Sequence, residues 1–480
     1  VPGQPTGLMP SHSVWDANGD LYLSYGDAAG PNGMTAGAVH RFEPKTGVWT
    51  DVTPERGSFG YGGIAADPKR AGVLLVCTMD RWSQKDEIFR TRDGGKSWEA
   101  IGQKSKRDAS LAPWLTWGKP GEADAGHWMG DIEIDPFDAN HALYVTGTGI
   151  WTTNNLGNSD GGKPALWTVG AVGLEECVVL ELVSPPSGTS LLSVVGDING
   201  FRHDTFTASP TGGFFLPSHG TNLAIDFAEA DPNIVVRLFG GDNTNGASSA
   251  DNGRSWTPFP AKPPFERGDG KIAVSADGKT WIYVAERQAG AAITRDKGAT
   301  WAMATGLPAR FTRVVSDRVD ANRFYAFDET TGSLLASSDG GATFAPTGAV
   351  LPTGSGFLRA APGKSGDLWL VGDNGIHHST DGGATFSSIG GMENGRRIGF
   401  GKAAPGRTNP AAFVAGKKSG VYGFYRSDDN GTTWVRINDD AHQFAGINSV
   451  TGDPRVYGRV YIASQSRGIL RGDLPNAAKR

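Results

Sequence analysis

The chain has little cysteine, no long apolar run and no run of positive charge. Its 480 residues include two cysteines, Cys77 and Cys177, too few for a disulfide framework. They lie in strand-like runs of different segments, so buried free thiols are favoured over a bridge. No stretch approaches the roughly 18 apolar residues of a membrane-spanning helix. The net charge is −5 with no basic run, which argues against nucleic acid and anionic membrane surfaces as partners and suits a neutral ligand. No amphipathic helix of three turns can be drawn. The nine histidines show no metal-ligand spacing. Phosphate-loop and His-Glu-x-x-His motifs are missing, and no cofactor is implied.

What is present is glycine (70), tryptophan (14) and a phrase that recurs six times. The copies are Thr91 to Trp98, Ser249 to Trp256, Thr294 to Trp301, Ser337 to Phe344, Ser379 to Phe386 and Ser427 to Trp434. The pattern is Ser/Thr-x-Asp-x-Gly-x-x-aromatic, and the last five start 45, 43, 42 and 48 residues apart. A turn phrase at a period near 45 marks a repeat architecture. Asp can bond backbone N–H groups two residues on, and glycine supplies positive φ, so the phrase is predicted to be a β-hairpin turn closed by an inward aromatic. It resembles the Asp-box of sialidase-like propellers. Turn chemistry explains every residue of it, so the six Asp are read as scaffold. A second phrase, Asp67-Pro68, Asp135-Pro136, Asp231-Pro232 and Asp453-Pro454, precedes β-rich runs. Together the phrases predict four antiparallel strands per unit, the blade of a propeller.

Units are expected to start near residues 12, 60, 126, 175, 220, 269, 313, 357 and 395, with a last strand pair at about 447–474. The fold expected is all-β: a seven-bladed β-propeller with Asp-box repeats, plus extra blades of a second propeller. Residues 1–110 would be the terminal blades of an N-terminal propeller. Residues 111–480 would be the C-terminal ring, whose last strands close it. Lys104 to Gly126, with Trp114 and Trp117, reads as a linker or a long loop over a site.

Function belongs where the repeat breaks. Four residues before the Asp-Pro turn stand Gly63, Phe227 and Ser449, but in the third unit Asp131. Strand alternation puts Asp131, Glu133 and Asp135 on one face. Asp135 has the turn to explain it and Asp131 does not. Gly130 allows close approach and Trp128 offers a flat apolar surface. An Asp beside indoles at a strand end is a candidate general acid; the bland alternative is a solvated carboxylate. Met79 to Trp82, Gly196 to Asp204 and Gly241 to Gly246 are further off-pattern stretches.

These residues resemble the glycoside hydrolase family 74 xyloglucanases. The resemblance rests on Gln4 to Pro10, Pro31 to Thr35, Thr78 to Trp82, Trp128-Met129-Gly130-Asp131 through Phe137, Gly196 to Asp204 and Leu223 to Ala230. It implies two propellers and inverting hydrolysis of the β-1,4-glucan backbone of xyloglucan polysaccharide or oligosaccharides. It also implies a secreted or periplasmic location. The family's general acid falls on Asp131, within Trp128, Met129 and Gly130. Candidate sugar platforms are Trp82, Trp114, Trp117, Trp128 and Trp151; candidate hydroxyl partners are Arg81, Arg202, His203 and Asn243. The general base belongs upstream of every segment matched, so a fragment, or a second chain carrying the N-terminal propeller, is expected. A sialidase needs an arginine cluster and a Phe/Tyr-Arg-Ile-Pro phrase that cannot be assembled here. A non-catalytic propeller binding glycan or protein is the other alternative.

Overall fold

The six repeated phrases fold as one turn. In the computed structural model each leading Ser or Thr hydroxyl donates to its Asp at 2.7–2.9 Å. The same carboxylate oxygen accepts the backbone N–H four residues on, at 2.8–3.0 Å. The hydroxyl also accepts the N–H of the glycine. Bonds from Ser97, Thr300 and Thr385 hold the carboxyls of Asp93, Asp296 and Asp381 down at about 2. Each Asp is therefore used up within its own turn. The closing aromatics pack on the core clusters, with Phe344 and Trp434 buried in them and Trp98, Trp256, Trp301 and Phe386 against them.

The structure describes residues 3–116, 123, 125–147, 149–170, 172–173, 177–217, 220–240, 245–265, 270–285, 290–308, 313–444 and 446–475. They form ten consecutive sheets, antiparallel but for one parallel pair in the third, one for each expected unit. The chain divides into two compact units, residues 1–176 and 177–480.

The first unit holds three sheets. Their inner strands are Met9–Trp15, Gly60–Ala66 and Ile132–Ile134, packed side by side in that order. The boundary expected near residue 110 falls inside this unit. Long-range pairing is the reason. The segment read as linker or loop supplies a strand, Lys106–Asp108, that pairs in parallel with Leu166–Val169. Buried Arg107 donates to the Tyr144 hydroxyl at 3.0 Å and to the Gly102 carbonyl at 3.0 Å. One hydrophobic core then runs from Ala65 and Leu75 of the second sheet to Tyr144, Trp151 and Trp167 of the third.

The second unit holds seven sheets, with inner strands Val179–Val183, Asn222–Phe227, Gly270–Val274, Val314–Ser316, Gly356–Ala360, Asn394–Gly401 and Ile447–Gly452. Each inner strand packs on the next, and the last packs on the first, which closes a ring. The expected final strand pair is a three-stranded sheet, Ile447–Gly452, Val460–Ser464 and Ile469–Gly472. The two cysteines form no disulfide; Cys77 is buried as expected, and Cys177 is only half-buried.

Candidate active site

Asp131 stands immediately before the inner strand Ile132–Ile134. Its side chain is 40% exposed. One carboxylate oxygen accepts the backbone N–H of Ile132 at 2.9 Å and lies 3.5 Å from Nδ1 of His12. The neighbouring inner strand makes room for it through two glycines. A Cβ on Gly63 would lie 2.6 Å from the Asp131 carboxylate, and one on Gly62 2.2 Å from the Met129 carbonyl oxygen. Register shifts between Tyr61 and Ile64 at this point, the bulge expected where a chain re-aims its backbone.

Sequence reasoning missed what holds this segment in place. Asp86 is fully buried. Its carboxylate accepts the Thr78 hydroxyl at 2.9 Å, the N–H of Arg81 at 3.1 Å and the N–H of Trp128 at 2.7 Å, and the N–H of Met129 adds to the set. Burial still pushes its carboxyl above the ordinary range. From the other side the Cys77 thiol donates to the Met129 carbonyl at 3.2 Å. Trp128 itself has φ of 61°, a left-handed conformation that a bulky residue keeps only when its surroundings over-determine it.

The aromatic wall is partly as expected. Trp82 is 51% exposed; it stacks on His127 at 4.5 Å and meets Trp128 edge-on at 5.6 Å. Trp128 in turn lies over Gly147, where a Cβ would come 2.5 Å from its ring. Gly130 is open, with nothing nearer than 3.7 Å to an added Cβ. Trp114 sits half-buried in the 3-10 helix Pro113–Thr116. Glu133 follows on the same strand face, its carboxyl pushed up by desolvation and by the charge of Asp131. Asp135 is engaged by its turn, through the Phe137 N–H at 2.8 Å and His141 Nδ1 at 2.8 Å.

Other expected residues stand elsewhere. Trp151 is 3% exposed and belongs to the core; a buried indole cannot serve as a platform, which corrects that expectation. Met129 is also fully buried and offers only its backbone. Arg81 is committed to both carboxylate oxygens of Glu55, at 2.8 and 3.0 Å, and to the Lys85 carbonyl. Arg202 and His203 lie in the second unit. Arg202 pairs with Asp204 and donates to the Asn252 carbonyl. His203 meets the Ser193 hydroxyl at 2.9 Å, and burial lowers its pKa to about 4. Trp117 and Asn243 lie outside the described residues. Among the described residues no cluster of three His, Cys, Asp or Glu could hold a metal ion.

His12 was legible by one rule. Asp16 opens the first sheet's turn as Asp67 and Asp135 open theirs, since each donates its N–H back across the turn. Counting four residues back from each gives His12, Gly63 and Asp131. Asp16 lacks the Pro that made the others visible.

No family model matches the chain. A xyloglucanase of a Paenibacillus species is 42% identical over 506 residues, which span 98% of this chain and 49% of that protein. The oligoxyloglucan-reducing end-specific xyloglucanase of Emericella nidulans is 35% identical over 553 residues, 98% of this chain and 68% of that protein. Among solved structures, the GH74 xyloglucanase from Xanthomonas campestris fits with a TM-score of 0.87 at 40% identity, over 99% of this chain and 68% of its own. Ten propeller-type sheets and this similarity define a β-propeller of glycoside hydrolase type. The chain belongs to glycoside hydrolase family 74, the xyloglucanases. It spans about half the length of the Paenibacillus relative.

Proposed function

We propose that the chain takes part in hydrolysis of the β-1,4-glucan backbone of xyloglucan, with inversion and with Asp131 as general acid. The observation that carries this reading is the exposed Asp131 carboxylate, held beside His12 and three residues from the Trp82–Trp128 wall. In inverting chemistry one carboxylic acid protonates the leaving oxygen while a second carboxylate activates water on the opposite face, about 6.5–9.5 Å away. Asp131 would give its proton to the glycosidic oxygen. Trp82 and Trp128 would receive apolar sugar faces, and neutral sugars need no charged clamp.

In this reading the three sheets of the first unit are closing blades of an N-terminal propeller, and the second unit is the C-terminal one. The general base comes from the part of the family's length that this chain does not span, on a longer polypeptide or a second chain. The protein works outside the cytoplasm, where xyloglucan is met.

The test is product release from xyloglucan by the purified protein, with whatever polypeptide accompanies it, read by reducing-end assay and by NMR of the first-formed anomer. Inverted product, and loss of release in Asp131→Asn, is the expected result. Retained configuration overturns inversion. Undiminished release by the variant removes Asp131 from the mechanism. Binding without release favours the non-catalytic propeller.

A further inference from the structure

The hub of the seven-sheet ring carries a cavity lined by no residue given a role in the proposed hydrolysis. It has a volume of about 650 Å³ and opens at the starts of the inner strands. Lys271, Arg313, Arg396 and Arg397 line it, with Phe357 and Asn448. Two acids, Glu329 and Asp373, also line it, so cations outnumber anions on its wall.

The cations are organised around one ring and one acid. The guanidinium carbons of Arg313, Arg359 and Arg397 lie 4.8, 5.1 and 4.9 Å from the centre of the Phe357 ring. A ring face attracts a cation, but three cations around one ring repel one another. The buried carboxylate of Glu181 answers two of them, accepting from Arg313 at 2.8 Å and Arg359 at 3.3 Å. Arg397 donates to the Asn448 carbonyl at 2.7 Å and has no carboxylate partner among the described residues. Positive charge in the hub is thus left over. Burial first, and then the neighbouring Arg313, lower Arg359 to about 9.

We propose that this hub cavity binds a small oxyanion-bearing solute, received by Arg313, Arg396 and Arg397 beside Lys271. Guanidinium forks match the planar oxygen pairs of carboxylates and the tetrahedral oxygens of phosphate or sulfate. The bound chemistry is that of a sugar-acid carboxylate or of a free inorganic oxyanion. None of its lining residues has a role in the proposed hydrolysis, so its test does not depend on that reading.

The experiment titrates the whole protein at low salt with glucuronate, phosphate and sulfate in separate arms, and with glucose as the neutral control, read by calorimetry and by the shift in Tm. Saturable binding of at least one anion is expected, with a Tm rise that glucose does not produce. Arg396→Gln, at an exposed position, and Arg397→Gln should each weaken it about tenfold or more. Strength in the glucuronate arm alone identifies a sugar acid; strength in the phosphate or sulfate arm identifies an inorganic oxyanion. No saturable binding of any anion by the wild type, an equal response to glucose, or unchanged affinity in a folded Arg396→Gln protein overturns the proposal.

Discussion

One backbone address is used in opposite ways by the two units. Four residues before the inner-strand turn, the first unit carries His12, Gly63 and Asp131, and the second carries, among others, Lys271, Arg313, Phe357 and Ser449. The turn residues Asp317, Ser275 and Ala361 make the same backbone bond as Asp16, Asp67 and Asp135. In the first unit the address is open: His12 and Asp131 are 41% and 40% exposed. In the second, Arg313 is drawn inward: it is 14% exposed and paired with nearly buried Glu181. An exposed carboxylate can exchange a proton at little cost. A buried cation must be matched, or it destabilises the fold that holds it. The repeat therefore fixes where a side chain starts, and the surroundings fix its chemistry.

The largest break in this comparison is expected at Glu181. Glu181→Gln leaves Arg313 and Arg359 without a counter-charge and should lower the second unit's unfolding free energy by about 3–5 kcal/mol, the range for removing one partner of a buried pair. Denaturant titration measures it. The sign with pH follows from the same pair. Burial opposes ionisation, but Arg313 and Arg359 hold the folded Glu181 carboxyl at about 2 against an ordinary 4.5. The unfolded chain then binds the proton first. This stabilisation is whole above the ordinary value and drains away as pH falls towards 2. Unfolding midpoints between pH 6 and pH 3 should slope less in the variant.

Next is Asp131→Asn, which should keep the fold and reduce release from xyloglucan about a hundredfold or more, the scale of a lost general acid. Thermal melts alongside the assay separate the two effects. Smaller again is Asp86→Asn. Its amide turns a donor towards N–H groups that need an acceptor, so stability should fall by about 2 kcal/mol. If Asp86 positions the Trp128–Asp131 segment, kcat falls while the pH profile keeps its shape. The smallest effect is expected at Asp339→Ala, about 0.5–1 kcal/mol by melting, because that turn's bonds are exposed and compete with water.

The parts of the fold that were legible in sequence are those decided locally. Eight of the ten sheets carry one of the repeated turn phrases, and these stand where the phrases put them, because a turn is specified by residues two to four apart. The limits of the first unit were not legible, because they depend on Lys106–Asp108 meeting Leu166–Val169 some sixty residues on. Asp131 was visible as a break in a pattern. Asp86 was not, since a buried acid in a loop has no periodic neighbour to differ from. Trp151 misled because exposure is set by what covers a strand: its partners Tyr144 and Val169 carry it into the sheet, and the core closes over it.

The six Asp turns keep their hydrogen bonds almost wholly to themselves. The piece beside it is met through backbone carbonyls, as Tyr22 meets Gly94 and Arg295 meets Asp339, and the carboxylate takes no part. Such pieces can be copied, dropped or spliced in evolution while each corner keeps its shape, which leaves the strand tips free to diverge into an acid in one place and an arginine nest in another.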